Sequence, residues 1–155
     1  MKTVICAIAV SFSTLASAQE AKDESHIFMT VPVGSYHFNR DKDWREWNPG
    51  LGFEYAPNEN WSVILGSYLN SNDKRTNYVG AAFYPLRYGN LALGVDVAVA
   101  TGYRSPVLVY PAVTYQKDRY GVSMIFIPTS VKGFNPFVGL QLRLQIGRAS
   151  CRERV

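Results

Sequence analysis

The sequence predicts an all-β fold, an eight-stranded antiparallel transmembrane β-barrel of the outer membrane. Three observations support it: short segments that alternate apolar and polar residues, aromatic residues near the segment ends, and a secretory signal before them. No stretch among these segments has the length of an apolar membrane-spanning helix. A soluble β-sandwich would alternate too, but the aromatic residues suit the two girdles of a membrane barrel. They are Trp61, Tyr78, Phe83, Tyr84, Tyr88, Tyr103 and Tyr115.

Residues 1–18 are expected to be a signal peptide. Lys2 supplies the positive start, Val4–Leu15 is too short to span a bilayer, and Ala16–Ala18 is a small-residue cleavage site. A short polar segment, 19–26, would then precede the barrel domain, 27–145. Export of this kind predicts the outer membrane of a Gram-negative bacterium as the destination.

The last ten residues, 146–155, are interpreted as foreign, because the codons that can encode them match a common sequencing adapter; a natural basic tail is the alternative. The remaining 19–145 carries 12 basic and 11 acidic residues, a balance that predicts no nucleic-acid partner. It contains no Cys, since Cys6 and Cys151 fall outside it, which excludes a disulfide framework and a Cys nucleophile. No cofactor or metal site is expected with only two His residues, His26 and His37.

The alternation places eight strands in order along the chain. The clearest is the fifth, in which large aliphatic residues from Leu91 to Val99 take one face and small or polar residues take the other. The predicted strands are Ile27–Asn39, Pro49–Ala56, Trp61–Asn70, Asn77–Pro85, Leu91–Gly102, Val107–Gln116, Tyr120–Ile127 and Phe134–Gln145.

The connections predict which residues meet. Pro57–Asn60, Leu86–Asn90 and Lys117–Arg119 are compact turns, whereas Asn39–Asn48 is longer and highly charged. In an outer-membrane barrel the turns face the periplasm and the loops face outwards, and an even strand number puts both chain termini in the periplasm. The first and third strands therefore end together at the other rim, near His37 and Ser71.

The inward face of the predicted strands is rich in small residues: Gly66, Gly80, Ala82, Ala92, Gly94, Ala98, Ala100 and Gly139. An eight-stranded barrel is wide enough to be filled by side chains or to hold one small ligand. These positions thus leave room for an apolar chain, or they lie opposite large inward Tyr or Phe residues.

The sequence resembles the PagP-type lipid A palmitoyltransferases of Gram-negative outer membranes, from about Val31 to Gln145. Four landmarks carry the resemblance: a Pro five residues before a His, a Trp- and Pro-Gly-containing start of the second strand, a Pro in the sixth strand and an Ile-Pro end of the seventh. They are Pro32 with His37, Trp47–Phe53, Val107–Pro111, and Phe126–Pro128.

The prolines of these landmarks have a physical role, because Pro cannot donate a hydrogen bond to a strand ladder. Pro32 with Pro49, and Pro111 with Pro128, are expected to interrupt pairing at two places in the wall. The resemblance implies that such gaps admit lipid through the side of the barrel. The alternative is that these prolines only mark the ends of strands.

The resemblance implies transfer of an acyl chain from a phospholipid to a lipid A hydroxyl by a monomeric barrel without a cofactor. The family's His matches His37 and its Ser matches Ser71, whereas Asn70 stands at the family's Asp position. We expect His37 to be the base, Ser71 a positioning group, an oxyanion donor or a nucleophile, and Asn70 to orient His37 or bind the oxyanion. Asn cannot stabilise an imidazolium by charge. Other acids could substitute: Asp41, Asp43 or Asp73.

Two further expectations follow from the same resemblance. Ala82 lies where the family has the floor of its acyl pocket, so its methyl group would shorten the accepted chain slightly. The family's N-terminal amphipathic helix has no counterpart in the short, polar Gln19–Ser25. The alternative function is a non-enzymatic outer-membrane barrel with a structural, adhesion or resistance role, since a fold does not imply a function. A narrow pore fits poorly with so few inward charges.

Overall fold

The computed structural model describes residues 24–40, 42–128 and 135–150, which form a closed antiparallel barrel with each strand paired to its sequence neighbours and the last strand to the first. The predicted eight-stranded barrel is therefore confirmed. Within these ranges, no helix is long and apolar enough to cross a membrane. The expected signal peptide and residues 19–23 lie outside the described residues. The strands are β1 (Glu24–His37), β2 (Gly50–Ala56), β3 (Trp61–Leu69), β4 (Arg75–Tyr88), β5 (Leu91–Ala100), β6 (Val107–Lys117), β7 (Tyr120–Ile127) and β8 (Phe137–Ser150).

The two faces of the wall follow the sequence alternation. In β5, every second residue from Leu91 to Val99 is exposed on the outside, and Ala92, Ala98 and Ala100 are buried inside. Four of the aromatic residues assigned to the girdles do point outward: Trp61, Phe83, Tyr88 and Tyr115. The other three are a correction, because they face the lumen: Tyr78, Tyr84 and Tyr103.

The connections differ at the two ends of the barrel, as expected. One end, the turn end, carries the short connections 57–60, 89–90 and 118–119. The opposite end, the loop end, carries 38–49, 70–74, 101–106 and 128–136. Since β1 begins at the turn end, β1 and β3 both run towards the loop end.

Four strands extend beyond their predicted bounds: β1 and β6 by a few residues at one end, and β4 and β8 further. β4 passes through Pro85, because a register shift between Phe83 and Leu86 places the proline in an irregularity where its missing N–H costs no ladder bond. β8 continues past Gln145, and its residues 147–150 pair with Glu24–Ile27 of β1. The barrel is thus longer than the predicted 27–145 at both ends. The foreign origin of 146–155 stays a prediction, and 151–155 lie outside the described residues.

Two seams of the wall lose their ladder near the loop end. Between β1 and β2 the described pairing stops at Thr30 with Gly52 and resumes only at an isolated bridge of Gly34 with Trp47. Between β6 and β7 it stops at Ala112 with Ile125. The interruptions fall beside Pro32 and Pro111, where the prolines were expected to cause them.

Small and large side chains alternate inside the lumen. A Cβ atom added to Gly52 or Gly66 would come within 2.5 or 2.7 Å of the Tyr78 hydroxyl, so both glycines make space for this tyrosine. Gly94 likewise makes space for Tyr84. Both possibilities left open for the small residues occur: Gly66 and Gly94 lie against large tyrosines, whereas Ala98, Ala100 and Gly139 line a cavity of about 90 Å³.

The lumen near the turn end is closed by polar side chains that pair with one another. Arg143 donates to Glu54 at 2.8 Å, and its guanidinium also lies over the Phe28 ring. The Tyr84 hydroxyl donates to Asp96 at 3.2 Å. Because these groups fill the cross-section, the interior is a packed core and not an open channel.

Candidate functional site

Four polar side chains meet inside the loop end of the barrel: Ser35, His37, Asn48 and Ser71, which we call the rim cluster. His37 Nε2 lies 2.8 Å from Ser71 Oγ, although the two residues are 34 positions apart. Ser35 Oγ lies 3.0 Å from Ser71 Oγ and 3.4 Å from His37 Nε2. The structure therefore brings together the His and Ser that the strand directions predict at one rim.

Local features of β1 and the following loop build this cluster. Ser35 and His37 are two residues apart in one strand and so share its inward face. The 38–49 loop folds back over β1, where Ser35 N donates to the Glu46 carbonyl at 2.8 Å. A Cβ atom on Gly34 would lie 2.5 Å from that carbonyl oxygen, so the close approach requires glycine. This return brings Asn48 next to Ser35.

Asn48 fixes the direction of the hydrogen bonds in the rim cluster. Its Nδ2 donates to the backbone carbonyls of Leu69 at 3.1 Å and Arg45 at 3.4 Å, which turns Oδ1 towards the lumen. Ser35 Oγ donates to this Oδ1 at 2.7 Å. A hydroxyl has one hydrogen, so Ser35 can only accept from Ser71 or His37.

The His37 ring is held by aromatic contacts. It is 5 % exposed, and it stacks on Trp44 with ring centroids 4.7 Å apart and planes inclined by 14°. Phe137 packs against it at 5.1 Å. Its Nδ1 atom is buried without a hydrogen-bond partner among the described residues. No described carboxylate orients this imidazole, which differs from a Ser-His-Asp triad.

Asn70 does not take the role expected of it. The side chain is completely buried, and its Nδ2 donates to Thr76 Oγ1 at 3.0 Å and to the Gly102 carbonyl at 3.4 Å. Its Oδ1 accepts from the backbone N–H groups of Asn72 and Lys74. These bonds shape the 70–74 loop, because they satisfy the amide away from His37. Asn70 therefore positions Ser71 through the backbone instead of orienting the imidazole.

The acidic residues considered as substitutes lie outside the rim cluster. Asp73 is exposed and pairs with Arg45 on the neighbouring loop. Asp43 is also exposed. Asp41 lies outside the described residues. Glu46, the remaining acid of the 38–49 loop, pairs with Arg40 at 3.1 Å in a similarly exposed position. The loop charges thus form pairs above the cluster, on the solvent side.

Sequence reasoning missed Ser35, Asn48 and Trp44. Ser35 carried a signal, because a residue two positions before an inward His shares its face in a strand. Asn48 and Trp44 reach the site through the fold of a loop, which no periodicity describes. A cluster built from three separate segments is visible only in three dimensions.

The cavity below the rim cluster has a volume of about 90 Å³. Ser35, Asn48 and Ser71 line it towards the loop end, and Glu54, Tyr84 and Asp96 line it towards the turn end. Ala82 is not among the lining residues; it packs behind them against Ile64 and Tyr84. The floor expected at Ala82 is therefore formed by larger, polar side chains.

The chain was compared with known proteins. No family model matches it, and no curated protein matches it. The solution NMR structure of the de novo designed TMB2.3, a designed transmembrane β-barrel, is similar, with a TM-score of 0.55 and 10 % sequence identity. The alignment covers 80 % of this chain and 96 % of that chain. At this identity the likeness concerns the architecture alone, a closed β-barrel.

Proposed function

We propose that the protein is an outer-membrane acyltransferase that moves an acyl chain from a phospholipid to a hydroxyl group of lipid A. The observation that carries the proposal is the 2.8 Å contact between His37 Nε2 and Ser71 Oγ at the mouth of the lumen cavity. A hydroxyl in hydrogen-bond contact with an imidazole is the arrangement that acyl-transfer chemistry uses.

The two interrupted seams support access for a lipid from the side. Above Ala112 and Ile125, the inner side of the β6–β7 seam is lined by an apolar cluster that includes Leu108, Tyr110 and Ile127. Phe137 packs against this cluster and also against His37. An acyl chain that enters between β6 and β7 would therefore follow apolar surface to the rim cluster, where its ester would meet polar groups.

The roles of the rim cluster follow from its hydrogen bonds. His37 accepts the proton that acyl transfer releases, and the aromatic rings of Trp44 and Phe137 keep water from it. Ser71 contacts His37 and faces the cavity, while Ser35 offers the nearest further hydroxyl. Pro32, which lines the cavity beside Ser35, lies at the second seam. Phospholipid and lipid A are the proposed substrates, and no cofactor takes part.

The size of the cavity favours a second candidate function. The Tyr78 hydroxyl fills the space above Gly52 and Gly66 and lines the cavity of about 90 Å³, so Tyr78 narrows the path of a long acyl chain. A lumen packed in this way equally suits a non-enzymatic outer-membrane barrel with a structural, adhesion or resistance role.

Lipid A mass spectrometry separates the two candidates. The full chain is expressed in a Gram-negative host without a palmitoyltransferase of its own, beside His37→Gln and Ser71→Ala. Ser67→Ala is the matched control, because Ser67 lies on the outer face of β3 near the same rim. We expect a lipid A species heavier by one acyl chain with the parent and the control, and its loss in the two site variants. An unchanged lipid A profile, with the barrel folded in the membrane, would overturn acyl transfer to lipid A and favour the non-enzymatic candidate.

A further inference from the structure

We infer that the outer wall of β3, β4 and β5 near the loop end binds the phosphate group of an anionic membrane lipid, which stays on the barrel as a boundary lipid and is not a substrate. The surface, which we call the basic wall patch, consists of Lys74, Arg75, Asn77, Thr101 and Arg104. It lies outside the lumen and away from the β1–β2 and β6–β7 seams. The inference therefore goes beyond the proposed acyl transfer and does not depend on it.

The wall beneath the patch is apolar. The strand register aligns Leu65 of β3 with Val79 of β4, and Val79 with Val99 of β5. All three side chains are about half exposed on the outside of the barrel. A continuous exposed aliphatic face is typical of a wall that contacts lipid chains. The basic wall patch thus lies at the level where lipid chains give way to head groups.

A polar row lies directly above this aliphatic row. Ser67 pairs with Asn77 in the register, and the Asn77 N–H donates to Thr101 Oγ1 at 2.9 Å. Each of the three follows an aliphatic residue by two positions towards the loop end, so it shares the outer face. Arg75 lies above the row, and its Nη1 donates down to Ser67 Oγ at 3.3 Å. The guanidinium therefore lies along the wall, at the top of the apolar face.

The charge of the patch is positive and uncompensated. None of the ion pairs among the described residues includes Lys74, Arg75 or Arg104, and all three are exposed. Asp73, the acid next to Lys74 in the sequence, pairs with Arg45 on the other side of its loop. A guanidinium has five N–H donors in a planar fork that matches a phosphate, and Ser67 takes only one of them. At a membrane surface, the anion that meets such a group is a lipid phosphate.

The outer wall has a different character on the other side of the barrel. The outward residues near the loop end of β1, β6 and β7 are large and apolar or aromatic: Tyr36, Phe38, Val107 and Phe126. Arg40 lies over the Tyr36 ring, but its charge is paired with Glu46. A lipid phosphate therefore has a preferred position around the barrel, beside β3, β4 and β5.

The experiment titrates the folded full-length barrel, in an uncharged detergent, with phosphatidylglycerol and counts bound lipids by native mass spectrometry. We expect one phosphatidylglycerol to bind more tightly than phosphatidylcholine, whose choline cation cancels the phosphate charge. One cation near a membrane surface is worth about fivefold in affinity, so Arg75→Gln should weaken binding by about that factor. The triple variant Lys74→Gln, Arg75→Gln and Arg104→Gln should weaken it by about 100-fold.

The matched control is Arg87→Gln, which removes the same charge from the opposite end of β4 and should bind as the parent does. A loss confined to the patch variants, with weaker binding of the parent in concentrated salt, would support the inference. Equal affinity of the parent and the triple variant, shown by circular dichroism to be folded, would overturn it. An equal loss in Arg87→Gln would also overturn it, because the lipid would then respond to the overall charge of the barrel.

Discussion

Arg143 of β8 donates to Glu54 of β2 at 2.8 Å across the inward face of β1, in a pair whose side chains are only 7 % and 5 % exposed. Each charge is compensated only by its partner and by nearby polar groups. We expect Arg143→Met to lower the free energy of unfolding by about 3–5 kcal/mol, because it leaves a buried carboxylate unpaired. Urea unfolding of the barrel in detergent measures this change.

The matched control for this prediction is the double variant Glu54→Leu with Arg143→Met, which removes both charges. It should recover most of the lost stability, since an apolar pair of similar volume is often neutral or stabilising. Equal destabilisation by the single and the double variant would show that the ion pair itself supplies the stability.

Asn70→Asp would restore the residue type of the resembled family at the position before Ser71, and we expect it to impair the protein. The Asn70 amide donates to Thr76 and to the Gly102 carbonyl, and an aspartate has no hydrogens for either contact. A loss of about 1–3 kcal/mol in stability, without a gain in acyl transfer, is expected. Thermal unfolding and lipid A mass spectrometry measure the two quantities.

Asn72→Asp introduces the same charge into the same loop at an exposed position, so it should change stability little. If Asn70→Asp instead raised the transfer rate while Asn72→Asp did not, the 70–74 loop would have to rearrange and place the new carboxylate on His37.

Trp44→Ala removes the ring that covers His37. Aromatic pairs contribute about 0.5–1.5 kcal/mol, so the transfer rate should fall by up to about tenfold. Water gains access to the imidazole, and the proportion of hydrolysis to transfer should rise. Free fatty acid and acylated lipid A, quantified in one sample, give this proportion. Trp61→Ala is the control, because Trp61 packs against Phe83 on the outer surface at the turn end. A proportion that stays constant in Trp44→Ala would contradict a covering role.

A disulfide across the β6–β7 seam tests sideways access. Val113 pairs with Met124 in the ladder, and two positions further along the same register come Pro111 and Phe126, beyond the last pair. The oxidised pair Pro111→Cys with Phe126→Cys should block acyl transfer, and a reductant should restore it. The oxidised pair Val113→Cys with Met124→Cys crosslinks a region that is already closed, so it should stay active. Full activity of both oxidised proteins would mean that lipid enters elsewhere.

The length of the accepted chain should depend on Tyr78 and not on Ala82. The Tyr78 hydroxyl occupies the space above Gly52 and Gly66 and lines the cavity, whereas Ala82 packs behind Tyr84. Tyr78→Leu should therefore shift the donor preference towards longer acyl chains, and Ala82→Gly should leave it unchanged. Mass spectra of the products from mixed-chain phospholipids report the preference. A shift with Ala82→Gly alone would restore Ala82 as the floor.

The strands were predictable because each wall segment must present one face to the outside and the other to the lumen, and the sequence alternates accordingly in β5 and β8. Strand direction alone predicted that His37 and Ser71 lie at the same rim, whereas their 2.8 Å contact is visible only in the structure. The bounds of β4 were not predictable from its proline, since a register shift absorbs Pro85. The alternation of apolar and polar residues reflects only positions that are close in the chain. A register shift such as the one at Pro85 depends also on the strand that pairs with it.

The side-chain contacts of the site could not be predicted from the sequence, for a different reason. Asn70 could face either His37 or its own loop, and only the packing of Thr76 and Gly102 decides between them. Asn48 joins the rim cluster through the return of a loop over Gly34. The volume left in the lumen depends on the rotamers of several tyrosines at once. Such properties arise from side-chain packing between distant segments.

The longest register in the described sheet joins its first strand to its last, from Glu24 with Ser150 to His37 with Phe137. Partners this far apart in sequence cannot pair while β8 is still missing, so the ring cannot close before β8 has been synthesised. Until the ring closes, β1 and β8 present open edges that invite pairing with other chains. High sequence separation also slows the search. Between synthesis and ring closure the chain is therefore prone to aggregation through its open strand edges. A chaperone that binds these edges would determine how much folded barrel forms.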